Sequence, residues 1–183
     1  MMNTNTVSIV IGSWGSYNAC NERALGSKWL DLSEYNSWEE IEEELLEEGF
    51  ELDGMDEELF IQDIEGIDIG MSCDDTHPQW LFEILLDSGV LKDSYTFQVM
   101  EAYLEVEGFR QFAELVNNDG ERWNMDINIY RGFDWEDYGK EMFELCCFEI
   151  PDHIKDFIDF EAYGEYVGEY AHEYSDGIIE ILR

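Results

Sequence analysis

An α+β fold, drawn out as an elongated chain of three small units, follows from three observations. Short β-branched runs alternate with capped amphipathic helices. Gly-rich and polar tracts near residues 66–77 and 117–120 interrupt the pattern. The third observation is a net charge of −36, from 45 acids against 9 bases. Self-repulsion on that scale favours an extended shape over a sphere, because distance separates like charges. With 45% hydrophobic and 15% aromatic residues the chain still has the material for cores and is far from the composition of disorder.

The first unit, residues 1–66, reads as β-β-α-β. Val7–Ile11 is a β-branched run closed by Gly12, and Trp14–Asn18 reads as a loop. Ser27–Leu32 alternates as a second strand. Ser37 then opens a helix, with Glu40 three residues on to complete a capping box, and Gly49 ends it. Trp38, Ile41 and Leu45 form its apolar stripe, while Glu39, Glu40, Glu42, Glu43, Glu44, Glu47 and Glu48 cover the rest without a lysine. Glu58–Ile64 is a third strand.

The second unit, residues 67–120, is helical. Pro78 fits a first helical turn, and Trp80, Leu81, Ile84 and Leu85 give that helix an apolar face before Gly89. Ser94 caps a helix packed through Phe97, Met100, Ala102, Tyr103 and Leu104, and a short helix covers Phe109–Asn117 before the NNDG turn. The third unit, residues 121–183, is α+β. It begins with a strand over Asp126–Arg131 and a helix capped by Asp134, with Asp137 in the capping-box position. Pro151 starts another helix, expected to run to about Val167 and to be weakened by Gly164 and Gly168. A hairpin follows, turning at Ser175-Asp176-Gly177.

The stretch 146–176 concentrates the chain's character. Asp152, Asp156, Asp159, Glu161, Glu165 and Glu169 lie among its acids, opposed by the single base Lys155. Like charges at i,i+4 destabilise a helix by a few tenths of a kcal/mol per pair, so stability alone does not select this pattern. Phe157, Phe160 and Tyr163 recur at helical spacing and read as core. Four residues of helix rise about 6 Å, so acids repeated at that interval form a row comparable in density to the phosphates of one DNA strand.

The same stretch, CFEIPDHIKDFIDFEAYGEYVGEY with the hairpin after it, resembles the antirestriction segment and C-terminus of the ArdA antirestriction family. Pro151, the spaced acids and Phe160-Glu161-Ala162-Tyr163-Gly164 carry the likeness. IGSWGSYN at 11–18, GSKWLDL at 26–32 and LFIQDIEG at 59–66 match in the same order. The resemblance implies an elongated, acidic, dimeric DNA mimic that occupies the DNA-binding groove of type I restriction-modification enzymes and so protects a mobile genetic element. On that reading the partner-binding surface comprises Glu39, Glu40, Glu43, Glu44, Glu47, Asp152, Asp156, Asp159, Glu161, Glu165 and Glu169. Ile178, Ile179, Ile181 and Leu182, apolar beyond what a two-stranded hairpin needs, supply a homodimer interface.

Charge alone narrows the partners. The chain is repelled by nucleic acid and by anionic lipid and attracted to a basic groove, so its partner is a protein. At about one charge per 1.7 Å, 36 charges correspond to roughly 60 Å of duplex. No metal or cofactor is expected: His77, His153 and His172 are scattered, and ELDGMDEE and NNDGER lack the ligand order of a calcium loop. No phosphate loop or nucleophile elbow occurs, and carboxylate pairs are too abundant to diagnose catalysis. The reading is therefore not an enzyme. Cys20, Cys73, Cys146 and Cys147 fit reduced cytoplasmic thiols, and no signal peptide or membrane span is evident. An acidic inhibitor or adaptor of another DNA-binding protein, or adaptation to high salt without mimicry, would share the composition.

Overall fold

Strand β1 (Ser8–Ser13) is central to the first sheet. It pairs antiparallel with β2 (Leu30–Asp31) and β3 (Leu59–Glu65), with Ile9 opposite Leu30 and Ile64, and Gly12 opposite Phe60. From Ile9 to Ser13 every residue of β1 is buried, which a continuous apolar run in a covered central strand requires. The computed structural model describes residues 6–73, 76–146 and 150–182. By internal contacts the chain forms two compact units, Met1–Gln98 with Gly108–Trp123 and Val99–Glu107 with Asn124–Arg183.

Within the first unit, β1 leads directly into helix α1 (Trp14–Ala19), where the sequence predicts a loop. The reason is non-local: Ser13 caps the helix, accepting from Ser16 N at 3.1 Å, and Trp14 stacks on Phe60 at 4.3 Å. The strand expected over Ser27–Leu32 shortens to the two residues of β2 before a 3-10 turn at Leu32–Glu34. Helix α2 (Trp38–Glu47) buries Trp38, Ile41 and Leu45 as its stripe predicts. Its N-terminus departs from the predicted capping box. The Ser37 side chain accepts no cap bond, and Glu40 Oε2 accepts from Asn36 N at 2.7 Å.

Helix α3 (Pro78–Asp87) has proline in its first turn and buries Leu81, Phe82, Ile84 and Leu85. Helix α4 (Ser94–Val106) is capped by Asp93, one residue before the predicted serine, through Thr96 N and Thr96 Oγ1, both at 2.7 Å. Helix α5 (Phe109–Asp119) runs through most of the predicted NNDG turn, and Trp123 beyond it is fully buried, donating from Nε1 to Ser88 O at 3.0 Å.

The second unit contains β4 (Ile127–Arg131), β5 (Ala171–Tyr174) and β6 (Gly177–Ile181), antiparallel in the order β4-β6-β5. The predicted hairpin is present, and β4 extends it to three strands. Helix α6 (Trp135–Leu145) starts at the predicted cap, Asp134 Oδ1 accepting from Asp137 N at 2.9 Å. The helix expected from Pro151 to Val167 is broken into α7 (Asp152–Lys155) and α8 (Phe160–Val167). Asp159 causes the restart, its Oδ1 accepting from Ala162 N at 3.0 Å as the cap of α8. Gly164 does not weaken α8. It is the crossing point on α6, where a Cβ on Gly164 would overlap the Trp135 carbonyl and one on Gly139 the Phe160 carbonyl.

Mixed helices with two three-stranded antiparallel sheets make the α+β class. Among the described residues no helix is long and apolar enough to cross a membrane, and no cluster of three metal-ligating side chains occurs.

Candidate functional site

Helix α2 presents its acids because its three apolar residues fix its orientation. Trp38, Ile41 and Leu45 face inward, leaving Glu39, Glu40, Glu43 and Glu47 exposed on the opposite side. From Glu39 to Glu47 is about 12 Å of helix axis, so these four charges lie about 4 Å apart on average, close to the 3.4 Å spacing of phosphates along one DNA strand. Glu39 is held ionised: its own backbone N–H and then the Ser37 hydroxyl draw its pKa below the usual carboxylate value. Ser37 thus supports a surface charge and not the helix cap.

Glu44, the remaining acid proposed from this helix, is half-buried and ion-paired to Lys28. The Lys28 backbone N also donates to Glu48 Oε2 at 3.0 Å, and Glu42 Oε1 accepts from Trp38 Nε1 at 2.9 Å. The helix has no lysine of its own, but the GSKWLDL segment brings one to it across sixteen residues of sequence. Glu44, Glu48 and Glu42 are therefore engaged within the fold, and Glu39, Glu40, Glu43 and Glu47 form the outward row.

In the second unit Asp156, Asp159, Glu161, Glu165 and Glu169 are all exposed. They do not form one helical row. Asp156 lies in the turn after α7, Asp159 is committed to capping, and only Glu161 and Glu165 share a helix at i,i+4. Glu169 follows the end of α8, in the turn where Ala171 N donates to Gly168 O at 3.1 Å. Asp152 opens α7, and its side chain, like Cys147 and Glu149, falls outside the described residues.

The aromatic residues read as core divide. Phe160 and Tyr163 are half-buried and set edge-on to Phe143, with centroids at 5.5 and 5.8 Å. Phe157 is 86% exposed, because the break between α7 and α8 turns it away from the face Phe160 uses. Ile178 and Ile179 are fully buried in the chain's own sheet, Ile181 is half-buried, and Leu182 is 51% exposed.

One acid goes the other way. Asp56, in the ELDGMDEE tract, is fully buried. Its Oδ1 accepts from Ser13 Oγ at 2.5 Å and from Ser16 Oγ, and its Oδ2 accepts from Glu51 N at 2.8 Å. Arg23 Nε lies 3.2 Å from Oδ2, an ion pair without hydrogen-bond geometry. Burial pushes the Asp56 carboxyl up, and the hydroxyls of Ser13 and Ser16, the Glu51 N–H and the Arg23 charge together outweigh it, leaving the pKa below the usual aspartate value. The serines of IGSWGSYN thus fasten β1 and α1 to the loop before β3. The sequence offered one signal for this, the two serines three apart at the end of an apolar strand.

The model of the antirestriction protein family ArdA matches residues 9–180, nearly the whole chain. The chain belongs to the ArdA antirestriction family. That assignment takes in both units, from the β1 strand to the final residues of β6. No curated protein matches this ArdA chain. Antirestriction is accordingly the activity its family carries, and the family is one of inhibitors.

Proposed function

We propose that the chain blocks a type I restriction-modification enzyme by filling its DNA-binding groove with a surface that imitates the phosphate backbone. The observation that carries this reading is the outward row Glu39, Glu40, Glu43 and Glu47 at close to DNA's axial charge spacing, on a chain of net charge −36. In the second unit the acids proposed for the same role are Asp152, Asp156, Asp159, Glu161, Glu165 and Glu169. Many weak contacts to Lys and Arg would then sum as they do for DNA, with affinity that falls steeply as salt rises and with electrostatically steered association.

The protein would act in the cytoplasm, bind no nucleic acid itself and use no cofactor. It would work as a homodimer joined through the C-terminal strands, where Leu182 and Ile181 offer the apolar surface not consumed within the chain. A dimer would double the roughly 60 Å of duplex to which one chain's 36 net charges correspond, enough for a long bipartite groove, which favours type I enzymes over a type II endonuclease with a short site. The test has two parts. Phage plating in a restricting host, with and without the gene, reads protection. Competition between the purified protein and labelled DNA for a type I enzyme reads the mode. Inhibition without displacement of DNA would refute mimicry.

A further inference from the structure

A charge-only mimic has no use for an aromatic ring in water, yet Phe157 is 86% exposed inside the acid-rich segment and Ile154 beside it is 44% exposed. The two are three residues apart in one tight turn, Phe157 N donating to Ile154 O at 3.0 Å, so they present a joint apolar knob. Asp156 and Asp159, both exposed, flank it. A ring projecting from a polar rim is the arrangement that dominates binding energy at protein interfaces, where a few large side chains entering pockets outweigh the surrounding contacts.

The rim selects the occupant. Nucleic acid and anionic lipid are repelled by the flanking carboxylates, and a second copy of this chain would set Asp156 and Asp159 against their like. The complementary surface is a protein pocket with an apolar floor and a rim of Lys and Arg.

We propose that Phe157, with Ile154 beside it, is an apolar anchor that enters such a pocket in the target's basic groove. It adds to the mimic a contact that the phosphate backbone it imitates cannot make. This rests on the groove-occupying reading above. Displacement of DNA is then driven by two separable components, one of counter-ion release that weakens with salt and one of apolar burial that does not.

The separation is measurable. Affinity of a purified type I restriction-modification enzyme is determined for the wild type, Phe157→Ala and Asp156→Asn across a salt series. Phe157→Ala should weaken binding about tenfold at every salt concentration, leaving the slope of log affinity against log salt unchanged. Asp156→Asn should reduce that slope by about one unit with a small effect on affinity at high salt. Because Phe157 is exposed, the variant keeps the wild-type melting curve, and Phe157→Tyr should restore most of the affinity. Unchanged affinity for Phe157→Ala, with the wild type binding normally, overturns the anchor and leaves the mimic reading intact. So does a variant whose only change is loss of self-association in sedimentation. A wild type that fails to bind the enzyme defeats the mimic reading, and the anchor with it.

Discussion

Replacing Asp56 by alanine removes the carboxylate that Ser13 Oγ, Ser16 Oγ and Glu51 N all donate to and that Arg23 faces. Breaking a buried charge pair costs about 3–5 kcal/mol, because the partner is left uncompensated, and stranded hydroxyl and amide donors add to the loss. Each kcal/mol lowers the melting temperature by roughly 2–4 °C in a chain of this length, so Asp56→Ala should melt roughly 6–20 °C below wild type. Amide exchange at Ile11, whose N–H is held by Ser27 Oγ at 3.0 Å on the same strand, should accelerate in step. The pH dependence has a fixed sign. The folded-state pKa of Asp56 is depressed, so its contribution is present above the unfolded value of about 3.9 and is lost as pH falls through the folded value. Wild type should therefore lose an increment of stability below about pH 4 that Asp56→Asn lacks. Thermal unfolding by circular dichroism across pH reads both effects. A loss under about 1 kcal/mol for Asp56→Ala at neutral pH would refute the clamp.

Neutralising single outward acids, as in Glu43→Gln or Glu165→Gln, should leave protection in the plating assay nearly intact, since an exposed ion pair is worth no more than about 1 kcal/mol. Removing Glu39, Glu40, Glu43 and Glu47 together should weaken protection progressively, and a single acid whose loss abolishes it in a folded protein would point to catalysis instead. Gly164→Ala forces a Cβ into the Trp135 carbonyl and should destabilise by about 1–3 kcal/mol in urea unfolding, whereas Ala162→Gly on the exposed face of α8 should cost no more than about 1 kcal/mol. Sedimentation at micromolar concentration should give a dimer, and Leu182→Asp should shift it toward monomer; a wild type that stays monomeric would remove the homodimer.

Elements with a local cause were legible in the sequence. The buried stripe of α2, the proline start of α3, the Asp134 cap and the C-terminal hairpin each declare themselves within a few residues. Features caused at a distance were not. Helix α1 exists because Phe60 and the Ser13 cap hold a segment with no apolar period of its own. Asp56 cannot be told from its acidic neighbours until Ser13, Ser16 and Arg23 fold onto it. The break at 156–159 was written in Asp159, a good cap residue, but an unbroken apolar period read straight through it and sent Phe157 into the core. For the candidate surface, pattern distinguished the inward from the outward side of α2. It could not show that Lys28 returns to engage Glu44.

The crossing of α6 and α8 at Gly139 and Gly164 separates two kinds of constraint. Backbone meets backbone there, so the seat of α8 is set by the absence of two side chains and by Phe160, Tyr163 and Val167 on the same side. Glu161, Ala162, Glu165 and Tyr166 on the opposite side take no part in that seat. Their identities can drift while the helix stays where it is, so the exposed side of α8 can be rewritten one residue at a time without renegotiating the fold beneath it. Such a mount lets charge and shape on that side be retuned at little cost in stability.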